Sequence, residues 1–324
     1  MYILVIKQLA VMALIVLSGF IFATIFKVQE NEQKFISKML LYFINPFLVF
    51  SSFNMEFNPE KLKYLLFTII VSFIIHFLVI FISIVLIRLK NQDEHDYKII
   101  DRLAVTFTNC GFVGIPLIRG VFGNEGVFYL MGYLIVFNVL LWTYGYYQMC
   151  GKTNIKKILT NPNIIAVALG LIVYVCPFTL PELISRPVDY IGDMNTPLAM
   201  ILVGILFADF RLSKKYIIRL LRVCSIRLIL VSVINLLLIM FVYYISARFN
   251  IINDLQILKL MLFVVYICSM CPCATSIPSL SCIFNKDAQY ASLIVCLTSL
   301  LCIVSIPLFV ALAEKIIDLI SVVF

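Results

Sequence analysis

Two short polar clusters interrupt stretches that are otherwise apolar. The first is Thr108-Asn109-Cys110-Gly111-Phe112-Val113-Gly114-Ile115-Pro116, and the second is Ser269-Met270-Cys271-Pro272-Cys273-Ala274-Thr275-Ser276-Ile277-Pro278. Gly and Pro at this density weaken a helix, because Gly has a large entropy cost and Pro removes a donor. Broken backbone at membrane depth persists only where protein or water satisfies its amides and carbonyls. Freed amides at a half-helix N-terminus carry partial positive charge and suit an anion such as a carboxylate. Freed carbonyls at the opposing ends suit a cation. Asn109 brings a side-chain amide to the same place, where leaving it unpaired would cost several kcal/mol by hydrocarbon-transfer reasoning. It either binds a substrate or satisfies its neighbours' broken backbone. Thr275 and Ser276 offer hydroxyls from the second cluster, which either face a ligand or bond their own helix. Taken singly, each cluster also reads as an ordinary proline kink.

Other residues offer less. Asn45 precedes Pro46 and Thr196 precedes Pro197 at matched places, where each either lines a site or caps a kink. His76 lies in the middle of an apolar run; it is a candidate proton relay or a neutral imidazole bonded to a neighbouring helix. Asn138 and Asn235 suit interhelical hydrogen bonds. Arg119 either attracts anions or anchors a helix end. Cys271-x-Cys273 has no His or acid to complete a metal site, and the intramembrane cysteines read as small apolar residues. No acid and no base is expected deep in the membrane, so an anion there would be held by neutral side chains and broken backbone.

These residues are carried by long apolar segments. Of the 324 residues 63% are apolar and 13% charged, about half the usual charged share of a soluble domain. The apolar residues form runs of about 20, the length of a membrane-crossing helix. Ten spans follow: 4–26, 35–54, 62–88, 99–118, 125–148, 162–178, 190–208, 216–246, 257–283 and 289–312. The run over 1–26 lacks a small-residue cleavage site and heads nine further spans, so it reads as a helix and not a signal peptide. Seventeen of the 25 Lys and Arg fall in the odd-numbered connections. That bias places those loops in the cytoplasm and both termini outside, in a multi-pass protein of the cell membrane. The net charge of +8 is thus a topology signal, and no nucleic-acid partner is expected. Lys214, Lys215, Arg219, Arg222 and Arg227 suggest an interfacial helix over 214–227 held by membrane lipid headgroups. The cluster Asn91-Gln-Asp-Glu-His-Asp96 reads as a solvated charge cluster. No loop is long enough for a soluble catalytic domain, and no metal or cofactor is expected.

The chain also repeats. Pro46 and Pro197 are 151 residues apart and Pro116 and Pro272 are 156 apart, so spans two and four match spans seven and nine. Five spans is an odd number, so halves 1–150 and 151–324 insert with opposite orientation, as inverted five-helix repeats in an all-α membrane fold. That architecture is associated with secondary transporters.

At these residues the sequence resembles the auxin efflux carrier family, which includes plant carriers and bacterial permeases for malate or malonate. The resemblance rests on Asn109-x4-Gly114-Ile115-Pro116-Leu117 with Phe122-Gly123-Asn124-Glu125-Gly126, on Asn161-Pro162-Asn163-Ile164-Ile165-Ala166, on Pro272-x-Ala274, and on Asp287, Ala291-Ser292-Leu293 and Ser305-Ile306-Pro307-Leu308. It implies a scaffold of helices 1, 2, 6 and 7 that forms a homodimer, and a transport domain of helices 3–5 and 8–10. Broken helices four and nine would cross and hold the substrate during an elevator cycle. Asn109 matches the asparagine that binds the substrate carboxylate in the plant carriers. The implied site is Asn109, Cys110, Gly111, Pro116, Asn45, Pro272, Ala274, Thr275, Ser276 and Pro278. Pro272 and Pro278 are six apart where the plant pattern has five. The implied function is outward or uniport transport of a small organic anion such as malate, malonate or an auxin-like acid. A sodium- or proton-coupled symporter and a non-transporting sensor are the alternatives. The only histidines, His76 and His95, have no intramembrane carboxylate near them in sequence, so no enzyme is expected.

Overall fold

The computed structural model describes residues 2–51, 53–54, 57–88, 95–151, 159–176, 180–208 and 216–321. The described residues are helical, with no strand beyond one isolated pairing of Thr108 with Cys273. Among the described residues, seven helices are long and apolar enough to cross a membrane. Two shorter apolar ones, Pro162–Val175 and Leu255–Met270, stand beside them. This is a multi-pass membrane protein.

Helix α1 is Tyr2–Phe26. Helix α2, Glu30–Met39, passes through a π-helical turn at Leu40–Ile44 into α3, Asn45–Ser51. Helix α4 is Pro59–Leu86 and α5 is His95–Thr106. After a break, a π-helical turn at Cys110–Gly114 leads into α6, Ile115–Leu140. Another at Leu141–Gly145 leads into α7, Tyr146–Cys150. Helices α8, α9 and α10 are Pro162–Val175, Glu182–Asp193 and Asn195–Ala208. Helix α11, Ile217–Ser225, runs through a π-helical turn at Ile226–Leu230 into α12, Val231–Arg248. Helices α13, α14 and α15 are Leu255–Met270, Ser276–Ile283 and Ala288–Ser321.

The sequence sets many of these boundaries. Asn58 and Asn161 accept amide hydrogen bonds at the starts of α4 and α8, each followed by Pro at the first helical position, and Asp254 does the same for α13. Pro46 and Pro116 each follow a π-helical turn. The proline ring clashes with the carbonyl four residues back, and the wider turn gives it room. Gly123, with φ 67°, interrupts α6 in a conformation open to glycine and falls between the expected spans 99–118 and 125–148. The expected spans 99–118 and 257–283 are each interrupted, at 107–109 and 271–275.

Helix α1 packs on α10 so closely that a Cβ on Gly204 would sit 2.0 Å from the Val16 carbonyl oxygen, and one on Gly19 would sit 2.2 Å from that of Ile201. Such small-residue contacts let membrane helices approach through their backbones. Helix α3 packs between α8 and α9, with Gly170 against Phe53 and Gly192 against Leu48. Helices α4, α6, α13 and α12 form a second group, with α15 against α12 and α14. Helix α4 keeps Leu66, Ile70, Ile74, Phe77 and Phe81 exposed at helical spacing while Ser72, Ile75, His76 and Val79 are buried, an apolar outer face suited to lipid.

Within the interfacial stretch expected over 214–227, helix α11 continues into α12, and one residue is corrected: Arg227 is fully buried. Arg219 Nε donates to Asp101 Oδ2 at 2.9 Å, and Arg222, itself exposed, donates to the Leu86 carbonyl. Lys90, Lys152, Lys156, Lys157, Arg211, Lys214 and Lys215, counted among the 17 basic loop residues, lie outside the described residues. So do 91–94 of the charge cluster.

Candidate functional site

Helix α5 stops at Thr106 and α13 at Met270, and the unwound segments beyond them run antiparallel past each other. The Asn109 amide donates to the Pro272 carbonyl at 2.7 Å and the Ala274 amide to the Phe107 carbonyl at 3.0 Å, around the Thr108–Cys273 pairing. The Cys273 amide donates to Thr298 Oγ1 of α15 at 3.1 Å. The two breaks thus supply each other's missing hydrogen bonds, which makes them stable away from water. Beyond the crossing the chain turns helical again at Cys110 and at Ser276, so two helix N-termini meet there.

A cavity of about 80 Å³ lies at this crossing. Five asparagines line it: Asn45, Asn109, Asn138, Asn161 and Asn163. None of its lining residues is charged. Asn109 Oδ1 accepts the Phe112 amide at 3.3 Å and caps the turn that follows, while its Nδ2 has no hydrogen-bond partner. Asn45 Nδ2 donates to Asn163 Oδ1 at 3.2 Å, leaving Asn45 Oδ1 without a partner, and Asn161 Oδ1 holds the Asn163 amide at 2.9 Å. Ser276 Oγ is also unpartnered. Buried polar atoms without partners are rare in native proteins, and a group of them around one cavity fits a polar ligand. A small site lined by neutral donors and facing two helix N-termini can hold a carboxylate.

Of the residues expected at the site, the structure gathers Asn45, Asn109, Gly111, Ala274, Thr275 and Ser276 around the cavity. Cys110, Pro116, Pro272 and Pro278 do not line it. Pro272 shapes the crossing through its carbonyl, Cys110 is buried, and the Pro116 carbonyl accepts from Gln8 Nε2 at 3.2 Å. Pro272 lies within its break, whereas Pro116 lies in the helix after one, so the two do not occupy equivalent positions. His76 is buried away from the cavity. Its Nδ1 pairs with the Ser72 carbonyl at 2.8 Å, its Nε2 has no partner, and its ring packs on Tyr133, whose hydroxyl is 3.4 Å from Thr108 Oγ1. Asn138 takes part in the lining as well as bonding the Leu134 carbonyl of its own helix. Tyr42, Trp142, Asn161 and Asn163 were missed. The segment Asn161-Pro162-Asn163 is marked in the sequence only by the family resemblance, and nothing in the sequence placed it beside Asn45.

The expectation of a membrane core without a deep base is overturned. Arg227, 1% exposed, donates through Nη1 to the Val105 carbonyl at 2.9 Å and through Nη2 to the Ser269 and Cys271 carbonyls at 2.6 and 2.9 Å. Its guanidinium therefore bridges the C-terminal ends of both broken helices. Asp101 is also buried, held by Arg219 and by the Tyr290 hydroxyl at 2.6 Å. Arg227 escaped notice because its partners are backbone carbonyls freed by the breaks, which no sequence motif displays.

A family model described as membrane transport protein matches residues 4–155 and 147–310. An uncharacterized transporter of Methanocaldococcus jannaschii is 26% identical over 213 residues, covering 60% of this chain and 66% of that protein.

Proposed function

This chain belongs to the membrane transport protein family, that of the auxin efflux carriers, and from that premise we propose that it is a secondary transporter of a small organic anion. The observation that carries the reading is the crossing of two broken helices around an uncharged, asparagine-lined cavity with an unpartnered Asn109 Nδ2. A carboxylate placed there accepts from Asn109 and faces two helix N-termini.

In this reading ten spans form two inverted five-helix repeats, 1–150 and 151–324. Gly123 divides the long Cys110–Cys150 segment, and the two short apolar helices supply the rest of the count. The contacts of α1 with α10 and of α3 with α8 and α9 suit a scaffold of spans 1, 2, 6 and 7. Spans 3–5 and 8–10, joined at the crossing, then move as the transport domain in an elevator cycle, and the scaffold forms a homodimer in the cell membrane with both termini outside. With that orientation, Tyr42 and Trp142 of the cavity fall toward the cytoplasmic ends of spans two and five. Toward the other side Arg119 Nη1 pairs with Asp193 Oδ1 at 2.6 Å, joining spans four and seven. In this reading the Arg119–Asp193 pair is a latch between the transport domain and the scaffold.

The test is flux of labelled malonate, malate and ring-bearing monocarboxylates in proteoliposomes with voltage and ion gradients set independently. Movement of a short carboxylate that Asn109→Ala abolishes supports the reading. If no carboxylate moves, the substrate class is wrong; normal flux in Asn109→Ala removes the site.

A further inference from the structure

Four half-helix ends meet at the crossing, and by themselves their charges sum to about zero. Helices α5 and α13 point their C-termini at it, each carrying roughly half a negative elementary charge. The helices beginning at Cys110 and Ser276 point their N-termini at it, each with roughly half a positive charge. Left alone, this arrangement attracts a cation and an anion together. Arg227 changes that balance. Its fixed charge sits on the carbonyls of Val105, Ser269 and Cys271, the freed acceptors of the two C-termini. The two C-termini amount to roughly one negative charge, and one guanidinium offsets it. What remains is roughly one positive charge from the two N-termini, beside the buried, unpartnered Nδ2 of Asn109, a residue 4% exposed. That remainder matches one carboxylate.

A buried charge is costly unless it is compensated. Among the described residues no carboxylate pairs with Arg227, and its hydrogen bonds are to those three carbonyls alone. The compensation is thus the helix ends, so the guanidinium and the broken helices stabilise one another.

We infer that Arg227 is a tethered counter-cation: it permanently fills the cation half of the crossing, so the anion binds and crosses without a co-transported sodium ion or proton. This rests on the anion-carrier reading for its substrate, but the cation chemistry of the crossing can be tested without any substrate.

Two measurements on the purified protein decide it. The first is thermal melting in detergent with Na⁺ or with N-methylglucamine, a cation too large to enter. The wild type melts identically in both, and Arg227→Ala, with its carbonyls vacated, melts lower and is restored by Na⁺ or guanidinium ion. The second is malonate binding and flux, with binding read by fluorescence of Trp142, the single tryptophan and a lining residue. Wild-type affinity and flux are unchanged when Na⁺ is replaced. Arg227→Gln weakens binding by about tenfold or more, and Arg227→Lys, which keeps the charge, stays within about threefold. A wild type that is stabilised by Na⁺, or requires it, overturns the inference, and so does Arg227→Gln binding malonate normally. If the variants do not fold, the wild-type comparison of the two cations still decides. A wild type that neither binds nor moves any carboxylate sinks the anion-carrier reading, while the melting comparison still judges Arg227.

Discussion

Asn109 holds two jobs on two atoms, and a pair of substitutions separates them. Its Oδ1 caps the turn at Cys110 by accepting the Phe112 amide, and its Nδ2 is free in the cavity. Asn109→Ala removes both. Loss of the cap costs about 1 kcal/mol of stability. Loss of a donor to a charged ligand costs about 1.5–3 kcal/mol of binding, which at about 1.4 kcal/mol per decade is roughly 10- to 150-fold in Kd. Asn109→Ser keeps an oxygen for the Phe112 amide but has no amide donor that reaches the cavity. Serine caps about as well as asparagine, so this variant melts like the wild type yet binds carboxylate as weakly as the alanine variant. The assay is paired: detergent melting for the cap, and Trp142 fluorescence titration with malonate for the donor. If Asn109→Ser restores wild-type affinity, the residue acts only as a cap and the assignment of Nδ2 to the substrate is refuted.

Three further outcomes follow from the geometry. The Arg119–Asp193 pair is partly exposed, so it is worth no more than about 1 kcal/mol. Arg119→Ala and Asp193→Ala should each change flux by no more than about fivefold, in the same direction, with the double variant no worse than either; additive effects would exclude a shared latch. Gly204→Ala puts a methyl 2.0 Å from the Val16 carbonyl oxygen, backbone against backbone, and should cost about 1–3 kcal/mol as an overpacked contact. An unchanged melting temperature would mean that α1 and α10 separate freely. Asp101→Asn leaves Arg219 without its carboxylate and weakens the Tyr290 contact that ties α5 to α15. Because Arg219 is partly exposed, the loss should fall at about 1–3 kcal/mol, below the range for fully buried pairs. Melting that matches the wild type would show the cluster to be dispensable.

The sequence makes some of this architecture legible and conceals the rest for physical reasons. Runs of apolar residues report membrane spans because lipid enforces composition along the whole helix. Gly and Pro report weakened helix because they act on their own backbone: Pro272 lies within the interruption at 271–275, and Gly111, Gly114 and Pro116 follow directly after the one at 107–109. Partnership between distant segments leaves no such mark. Asn163 meets Asn45 across 118 residues, and neither side chain carries a local sign of the other. Charge counting failed at Arg227 for a related reason. Positive-inside statistics assign a basic residue near a span's end to the loop, and Arg219 and Arg222 are close enough in sequence to carry Arg227 with them. Eight residues of helix beyond Arg219 is about 12 Å of depth, however, and Arg227 is followed by Leu228-Ile229-Leu230-Val231. A charge placed that deep without an acid in sequence reach needs a non-ionic acceptor, and the paired breaks in the same chain supply carbonyls without donors. The buried arginine and the broken helices are therefore one feature: the freed carbonyls of Val105, Ser269 and Cys271 accept from Nη1 and Nη2, while Nε stays without a partner. What the chain presents to an anion, beyond Asn109 itself, is the positive remainder of that arrangement.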